Sequence, residues 1–462
     1  MPIVNRSSIM PDMHTFAIET LGCKVNQYES QQIRELLERL GLNAAAPGCP
    51  PDLVVVNTCC VTHVASAKSR QQARKSRHAY PHATVVVTGC LPSTHTETPQ
   101  ESSDHLYLVR DRCDLPGVLH SLVRASQGPS CYEHPDVPIV TGSNKPEKGG
   151  EIKEKTEGVP AWNAWAEPIR RFSGQSRAFL KVQDGCDGAC TYCIIPRIRT
   201  KVCNKPVKTV LAEAAQLVAA GHPEIVLTGI CLGAYGQDTV RHKRWARDRT
   251  GAFADLVDQV ARVPGLQRLR LSSLGPGDVT DPLLSVLANH ANIMPHLHLP
   301  LQSGSDAVLR RMARQYRLAE YLKTVERVRA TLDRPAITTD IIVGFPQETD
   351  ADFEQTLNVA RQVRFSKIHV FAFSPRKGTP AAEFRPRVPP SVIRERSRVL
   401  RELDEQLQAA FRRQFIGERV AAVLECRRPP GGRTERYFAV STEDLDEWRL
   451  HDSTLLTGIL RG

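Results

Sequence analysis

Three cysteines in one short loop, Cys186, Cys190 and Cys193, are the residues of this sequence best suited to metal chemistry. Their C-x3-C-x2-C spacing lets three thiolates converge and supplies no fourth ligand. Three soft sulfur ligands suit a cubane iron–sulfur cluster in which one iron keeps a position open for a small molecule. A structural zinc site normally has four protein ligands, so the alternative is a zinc knuckle that borrows a distant His or Cys. The spacing favours the cluster.

A second set of three cysteines is spread along the amino-terminal part of the chain. Cys23, Cys59 and Cys90 each follow a short run of β-forming residues. Because the carboxyl ends of neighbouring parallel strands converge on one crevice, we expect these thiols to meet there as ligands of a second cluster. Cys60 is predicted to be non-ligating. A solitary cysteine usually acts as a small hydrophobe, which is our interpretation of Cys49, Cys113, Cys131, Cys203, Cys231 and Cys426.

The first segment must supply the strands that position this second set. One predicted helix carries apolar Ile33, Leu37 and Leu40 at helical spacing and should end at Gly41, and a second helix is the basic run 68–77. Strands and helices that alternate in this way are typical of a parallel α/β sheet. The predicted strands span 15–19, 52–57, 84–88 and 106–109.

A longer strand–helix alternation follows, and the C-x3-C-x2-C loop comes directly after its first strand. The predicted strands span 178–183, 224–228, 268–272, 296–301, 338–343 and 367–373. Six such units predict an incomplete (β/α)6 barrel, in which ligands bind at the carboxyl rim of the strands. The residues that we expect to bind a cofactor there are Tyr192, Gly229, Ser272, Gln302, Ser303, Val343 and Gly344.

The remaining segments differ in composition. Residues 127–168 are rich in Pro, Gly, Ser, Lys and Glu, which predicts a linker. Strand candidates at 420–425, 436–440 and 453–460, separated by a Pro-Pro-Gly-Gly run and an acidic loop, predict a small C-terminal β-barrel. The predicted organisation is an α/β domain at 14–126, the linker, a barrel domain at 169–400, and a connecting helix with the β-barrel at 401–462.

The bulk properties restrict the class of protein. A chain of 462 residues should form two or three domains. It contains no apolar run near the ~18 residues that cross a membrane, and residues 1–13 lack a signal-peptide core. We therefore expect a cytoplasmic protein whose 13 cysteines are reduced and available as ligands. The net charge of +11 suits an anionic macromolecular partner.

Several motifs together resemble one known family. The C-x3-C-x2-C loop, with an aromatic residue before its last cysteine, is similar to the signature of radical S-adenosylmethionine enzymes. Within that group the chain resembles the methylthiotransferases over almost its whole length. The residues around Cys23 and Cys59 are closest to the branch that modifies N6-threonylcarbamoyladenosine beside the anticodon of tRNA. The matching segments are 20–30 (TLGCKVNQYES), 57–59 (NTC), 67–71 (AKSRQ), 298–305 (HLPLQSGS), 339–346 (TDIIVGFP) and 374–380 (SPRKGTP).

The resemblance implies a reaction and its cofactors. It implies S-adenosylmethionine and two 4Fe-4S clusters, one held by each cysteine triplet. The net reaction would replace the C2–H of the adenine at position 37 of tRNA with a methylthio group, giving 2-methylthio-N6-threonylcarbamoyladenosine. No catalytic residue beyond the cluster ligands is predicted. The protein would position the cofactors and exclude competing reactions.

The resemblance also implies partners. These are tRNA, an electron donor such as flavodoxin or ferredoxin, and a sulfur donor. No membrane partner is expected. The C-terminal β-barrel would be a TRAM domain that binds RNA. Basic side chains can hold phosphates, although a solvated helix face is the alternative for 68–77. The residues predicted to contact the substrate are Lys68, Arg70, Arg199 and Arg433.

Six positions depart from the family pattern, and two alternative functions stay open. One alternative keeps the reaction but changes the substrate to isopentenyladenosine in tRNA or to a ribosomal protein. The other is an iron–sulfur RNA-binding protein without catalysis. The departures concern the expected cofactor rim and substrate entrance, whereas all six cysteine ligands remain. The departing residues are Thr200, Cys203, Asn204, Cys231, Gly275 and Gln347.

Overall fold

The structure of the protein, a computed structural model, describes residues 13–94, 105–126, 167–247, 250–427, 430–451 and 454–462. Almost all of the predicted linker lies outside these ranges, as does Cys131. Among the residues that are described, no helix is both long enough and apolar enough to cross a membrane.

The amino-terminal domain is a parallel α/β sheet, as predicted. Its strands are β1 (Thr15–Thr20), β2 (Asn43–Ala44), β3 (Leu53–Thr58), β4 (Thr84–Gly89) and β5 (Leu106–Leu108), and its helices are α1 (Lys24–Arg39), α2 (His63–Ala79) and α3 (Leu115–Ser126). The strands pair in the order β2-β1-β3-β4-β5. β3 and β4 are buried throughout, because α1 and α3 pack on one face of the sheet and α2 on the other.

The four strands predicted for this domain are confirmed to within one residue at each end. Helix α1 stops before Gly41, which adopts a φ of +87° suited to a helix C-terminus. The short strand β2 and helix α3 are absent from the prediction. Pro116 and Gly117 at the start of α3 have the two lowest helix propensities, and they obscure its helical pattern.

The central domain contains six parallel strands that follow one another in chain order. With the short additional strand β7, the domain's strands are β6 (Arg177–Asp184), β7 (Cys203–Asn204), β8 (Glu224–Gly229), β9 (Arg268–Leu271), β10 (His296–His298), β11 (Ala336–Val343) and β12 (Lys367–Ala372). They form two sheets, β7-β6-β8-β9 and β10-β11-β12, in which only β7 is antiparallel. An isolated parallel bridge between Ser273 and His298 connects the two sheets.

The helices of this domain alternate with the strands. They are α4 (Ile195–Ile198), α5 (Val207–Ala219), α6 (Ala252–Ala261), α7 (Asp281–Asn289), α8 (Asp306–Arg311), α9 (Leu318–Thr331), α10 (Asp350–Val363) and α11 (Pro390–Arg413). All six predicted strands are present, but β10 ends three residues early. Pro300 has no N–H group and cannot continue the ladder. α11 crosses the predicted boundary at 400/401.

Side chains on the last two strands of the central domain alternate between a buried and an open face. Ile341 and Ile368 belong to the main hydrophobic core beneath the helices. Asp340 lies on the opposite face of β11, and His369 and Phe371 on the opposite face of β12, where both are exposed. The face of these strands that turns away from the helices is therefore accessible.

The carboxyl-terminal domain is an antiparallel sheet of five strands. These are β13 (Arg419–Arg427), β14 (Pro430–Thr434), β15 (Ala439–Ser441), β16 (Leu445–His451) and β17 (Leu455–Leu460). They pair in the order β15-β14-β13-β17-β16, with register shifts in β13 and β16 that bend the sheet.

Three details of the prediction for this domain are wrong. The Pro-Pro-Gly-Gly run is not simply a break, because Gly431 and Gly432 are paired within β14. A Cβ at Gly432 would lie 1.7 Å from the Val423 carbonyl oxygen, so the close approach of β13 requires glycine there. The acidic loop overlaps strand β16. Tyr437, predicted within a strand, instead forms the turn after β14 with a φ of +69°.

Buried charges dock this last domain onto the central strands. Arg270 donates to Glu224 on β8 at 3.1 and 3.2 Å and to the carbonyl oxygen of Thr434 at 3.1 Å. The Tyr437 ring stacks on His296 with centroids 4.5 Å apart, and the Arg270 guanidinium lies 4.9 Å from the same ring. Burial alone would raise the pKa of Glu224, but Arg270 and Arg268 lower it.

Replacing Glu224 with alanine should destabilise the protein by about 3–5 kcal/mol, because it leaves buried guanidinium groups without their counter-charge. Denaturant unfolding of the full chain measures this free energy. Glu354, which pairs with Arg361 on the surface of α10, is the matched control. Its replacement should cost less than about 1 kcal/mol. An equal effect of the two substitutions would contradict this description of the docking.

Candidate functional site

Cys186, Cys190 and Cys193 share one loop directly after β6, as predicted. The Gly188 N–H donates to Cys186 Sγ at 3.3 Å, and Arg314 Nη1 donates to Cys190 Sγ at 3.4 Å. Both donors favour the thiolate over the thiol, and the thiolate is the form that binds metal. The loop therefore presents three sulfur ligands with donors already directed at two of them.

Close backbone contacts fix the start of this loop. Gly185 has a φ of +79°, and a Cβ there would lie 1.8 Å from the Lys201 carbonyl oxygen, so only glycine fits. The Gly185 N–H donates to Asp184 Oδ1 at 2.8 Å. Further along, the Thr191 N–H donates to the Met312 carbonyl oxygen at 3.1 Å. The loop is thus anchored at both ends before any ligand binds.

Burial makes two of these thiols, Cys186 and Cys193, weak acids in the metal-free chain. It raises the pKa of Cys186 to about 11 and the pKa of Cys193 to about 12, and the charge of Cys190 acts in the same direction. A bound metal must therefore displace the protons, as it does in other cysteine metal sites.

The second triplet also comes together, although its members are up to 67 positions apart in sequence (90 − 23 = 67). Cys23 precedes α1, Cys59 follows β3 and Cys90 follows β4, so all three lie at the carboxyl edge of the sheet. Their charges act on one another: Cys90 and Cys23 both raise the pKa of Cys59, which burial raises to about 11. A Cβ at Gly22 would lie 2.8 Å from Cys59 Cβ, so the close approach of these two loops requires glycine.

Cys60 lies next to this triplet, and its thiol forms a hydrogen bond with one of the three cysteines. Its thiol donates a hydrogen bond to Cys90, which raises the pKa of Cys60. The same hydrogen bond lowers the pKa of Cys90 against the effect of burial, with help from the charge of Arg199. Both pKa shifts favour the thiolate at Cys90 over that at Cys60, and the non-ligating role of Cys60 stays a prediction.

Arg199 connects the two triplets physically. Its carbonyl oxygen accepts the Cys186 N–H at 2.8 Å, and its Nη2 lies 3.9 Å from Cys90 Sγ. One side of this residue therefore touches a ligand of the first triplet and the other side touches a ligand of the second. A single arginine thus spans the gap between the Cys186 amide and the Cys90 thiol.

A buried ionic network holds Arg199 in this position. Its Nη1 and Nη2 donate to Glu29 on α1 at 2.8 and 2.9 Å, and its Nη1 also donates to Asp184 at 2.8 Å. Lys181 donates to the same two carboxylates at 2.8 and 2.6 Å. Against the effect of burial, Arg199 and Lys181 hold the pKa of Glu29 well below its usual range.

This network changes the interpretation of Arg199, which the sequence predicts to contact the substrate. Its side chain is 1 % exposed, and the guanidinium is directed at Glu29 and Asp184. The arginine therefore links two domains of the chain and is not accessible to a phosphate. Lys68 and Arg70 remain at least partly exposed on α2. Arg433 is 39 % exposed and pairs with Glu425 at 3.5 Å.

The residues present fit iron–sulfur clusters better than single metal ions. A zinc ion with Zn–S bonds of about 2.3 Å holds its sulfur ligands within about 4 Å of one another. In the described ranges, the one group of three potential ligands with donor atoms within 4.8 Å of one another is His298, Asp340 and His369. Neither cysteine triplet is that compact, and a cubane cluster spreads its ligands more widely.

The predicted cofactor rim is only partly formed by side chains. Gly229, Gln302 and Gly344 lie at strand ends, and Tyr192 lies in the cysteine loop. Ser272 is 6 % exposed and its hydroxyl has no hydrogen-bond partner within the described chain, which is the condition expected of a group that awaits a ligand.

Two other rim residues direct their side chains away from the opening. Val343 packs in the main core, and the Ser303 hydroxyl accepts the Ser305 N–H at 3.2 Å and meets Thr356 Oγ1 at 3.5 Å. Their backbone atoms are what remains available to a cofactor.

Sequence reasoning missed several residues at this site. Arg314 contacts both Cys190 Sγ and the Tyr192 hydroxyl, but it lies more than 100 positions away and belongs to no recognised motif. Cys231, interpreted as a small hydrophobe but also named as a departure at the expected cofactor rim, lies beside the loop. Burial, Asp278 and Cys186 raise its pKa well above the ordinary value. Its position after the end of β8 agrees with the rim and not with an isolated core cysteine.

The other departures from the family pattern have structural settings of their own. Cys203 and Asn204 form β7 against the end of β6, and Thr200 is exposed. The Gly275 N–H donates to Asp278 Oδ2 at 2.6 Å. Gln347 has a φ of +64°, a conformation that glycine adopts without strain, and its N–H donates to the Pro386 carbonyl oxygen.

Comparisons with known proteins agree with this site. Residues 15–109 match the family model described as "Uncharacterized protein family UPF0004", and residues 180–360 match that of the radical SAM superfamily. The solved structure of the radical S-adenosylmethionine methyltransferase TsrM from Kitasatospora setae superposes with a TM-score of 0.54 over 81 % of this chain and 77 % of that chain. At 15 % identity, this likeness concerns the fold alone.

Curated relatives are similar over nearly the whole chain. The threonylcarbamoyladenosine tRNA methylthiotransferase MtaB of Thermotoga maritima is 35 % identical over 89 % of this chain and 87 % of the relative. The tRNA-2-methylthio-N(6)-dimethylallyladenosine synthase of Nocardia farcinica is 37 % identical over 90 % of this chain and 78 % of the relative. With this identity, the two matched domains and the two cysteine triplets, the chain belongs to the family of radical S-adenosylmethionine tRNA methylthiotransferases.

Proposed function

We propose that this enzyme methylthiolates C2 of N6-threonylcarbamoyladenosine at position 37 of tRNA. The observation that carries the proposal is the pair of cysteine triplets, one on each side of Arg199. A methylthiotransferase must deliver sulfur, a methyl group and a radical to one carbon atom. Two metal groups held on either side of one bridging arginine would meet that requirement.

The chain would hold two 4Fe-4S clusters and S-adenosylmethionine. Cys186, Cys190 and Cys193 would hold one cluster, and Cys23, Cys59 and Cys90 the auxiliary cluster. The bound cofactors supply radical formation, the methyl group and a site for the sulfur atom. The Gly188 amide and Arg314 stabilise thiolates of the first triplet, and Cys60 and Arg199 stabilise that of Cys90.

The protein's own contribution is to position the reactants and limit access by water. The six parallel strands form an incomplete (β/α)6 barrel in this proposal, with both triplets at its carboxyl rim. Helix α2 contacts the rim from the other domain, where Arg376 donates to Ser66 Oγ at 3.2 Å and the His63 N–H donates to Ser374 Oγ at 3.1 Å. These contacts join the two domains at a second place, apart from the Arg199 network.

RNA would reach this space along basic surfaces. Lys68 and Arg70 on α2 would hold phosphates, and the C-terminal sheet would act as a TRAM-like RNA-binding domain that contributes Arg433. A base of a structured loop must leave its stack before the enzyme can modify it. An electron donor such as flavodoxin or ferredoxin and a sulfur donor complete the partners. The cytoplasm, where cysteines stay reduced, is the proposed compartment.

A second substrate has a specific observation in its favour. The relatives named for dimethylallyladenosine are as similar to this chain as those named for threonylcarbamoyladenosine, at 37 % and 35 % identity. The motif around Cys23 favours the threonylcarbamoyl branch. Overall identity does not separate the two substrates, so nucleoside analysis must.

Substitution of a single cysteine should remove one cluster and spare the other. We expect Cys59→Ala to bind about four irons where the unaltered enzyme binds about eight. The variant should still cleave S-adenosylmethionine to 5′-deoxyadenosine under reductant, because the other triplet is intact. Iron and sulfide assays after anaerobic reconstitution measure this. Cys113→Ala, at an exposed cysteine of the same domain, is the control that should keep all iron. Full iron content in Cys59→Ala would refute the ligand assignment.

Mass spectrometry of tRNA nucleosides tests the substrate. Cells that lack the gene should lose 2-methylthio-N6-threonylcarbamoyladenosine and accumulate the unmethylthiolated form, and the unaltered gene should restore it. A gene carrying Cys186→Ala should fail to restore it. Loss of the methylthio form of dimethylallyladenosine instead would establish the second substrate and reject the first.

A further inference from the structure

His298, Asp340 and His369 form a compact polar group that the proposed function does not yet use. They belong to three adjacent strands, β10, β11 and β12, and their donor atoms all lie within 4.8 Å of one another. His298 Nε2 is 3.3 Å from Asp340 Oδ2. We call these three residues the His–Asp–His group.

The group is held in place by its neighbours. Thr338 Oγ1 lies 2.9 Å from His298 Nδ1 and 3.0 Å from His296 Nε2, which orients the His298 ring with its other nitrogen toward Asp340. Asp340 pairs directly with His369 across β11 and β12. Paired strands and a shared hydroxyl therefore hold the three side chains together.

The group lies on the strand face that leads to the cysteine loop. Ile342 follows Asp340 by two residues on the same face of β11, about 7 Å further along the strand. Ile342 packs in the same side-chain cluster as Tyr192, which lies between Cys190 and Cys193. The group is thus situated just below the first cysteine triplet.

A charged residue next to the second triplet acts on the histidines, and the group is open on one side. Burial, Arg270, His298 and Lys24 lower the pKa of His296, which places Lys24, the residue after Cys23, within electrostatic range of the histidines. His369 is exposed, and Phe371, two residues further along the same face, is 39 % exposed. An open aromatic ring beside a polar group suits a nucleobase with a polar substituent.

The geometry points to the His–Asp–His group as the binding site for the N6 substituent of the adenine, with Phe371 beneath the base; this inference rests on the proposed function. A threonylcarbamoyl substituent carries a carboxylate, a hydroxyl and urea N–H groups. Imidazole N–H groups donate to carboxylate oxygens, and the Asp340 carboxylate accepts from a hydroxyl or N–H group. A dimethylallyl substituent offers none of these partners and would gain no hydrogen bond from the group.

A divalent cation is the competing occupant, since two histidines and a carboxylate are known metal ligands. Phe371, exposed on the same strand face, favours a nucleobase, because its ring offers a stacking surface that a metal ion does not use. The chelator arm of the test below separates the two occupants.

Binding of matched RNAs tests the inference. The probes are anticodon stem-loops that differ only at position 37, which is adenosine, N6-threonylcarbamoyladenosine or N6-dimethylallyladenosine. The full-length enzyme with both clusters should bind the threonylcarbamoyl form about 10- to 100-fold more tightly than the adenosine form. His369→Ala should bring that ratio close to one while leaving the Kd for the adenosine form within about twofold. Asp340→Asn, which preserves side-chain volume, should also lower this ratio. It serves as the test variant if His369→Ala folds poorly.

Controls and contrary outcomes are clear. His290→Ala removes a histidine that pairs with Asp258 at 2.7 Å on the outer helices, and the ratio should not change. An unchanged ratio in both group variants overturns the inference. It is also overturned if the preference disappears on dialysis against a chelator that leaves cluster absorbance intact and returns with Mn²⁺, because the group would then hold a cation. Product analysis separates this inference from the proposed function. If the group variants lose the binding preference but the unaltered enzyme forms no methylthiolated product, the proposed function is rejected and this binding site is retained.

Discussion

The structure depends on one buried arginine and the carboxylates around it. Arg199 accepts a hydrogen bond from the Cys186 amide through its backbone, contacts Cys90 through its side chain, and is held by Glu29 and Asp184. Burying these charges is costly unless every partner is present. The cost makes the arrangement selective, because another relative position of the two domains would leave charges unpaired in the interior. The ionic network therefore sets the distance between the two cysteine triplets.

The chemistry of the site follows from this fixed distance. In the proposed function each triplet would supply three sulfur ligands and leave one metal position for a ligand that is not protein. Arg314 at the first triplet and Cys60 at the second contact these sulfur atoms and would not themselves coordinate metal. The open strand face below carries His369 and Phe371, so the space between the domains combines metal sites with room for a base.

Local sequence patterns predicted the helices and strands well. They did not predict the contacts between residues that are far apart in sequence. The strands of the first two domains and the six converging cysteines follow from β-branched runs and from the rule that parallel strands share one edge. The role of Arg199 could not be predicted, since its partner Glu29 is 170 positions away and an arginine in a basic chain is equally compatible with RNA binding. Arg314 and the His–Asp–His group escaped for the same reason. The Gly-rich strand β14 was predicted as a break, because its glycines are required by the close approach of β13, which the local sequence does not show.

The most direct test of this account is the magnetic coupling between the two clusters, which falls steeply with their separation. The EPR spectrum of the reduced, reconstituted enzyme should show the splitting of two closely spaced clusters, because the network allows one arrangement of the domains. Glu29→Gln, with unchanged iron content, should weaken that splitting, whereas Glu354→Gln on the surface should not. A spectrum of Glu29→Gln that matches that of the unaltered enzyme would contradict the central role of the network.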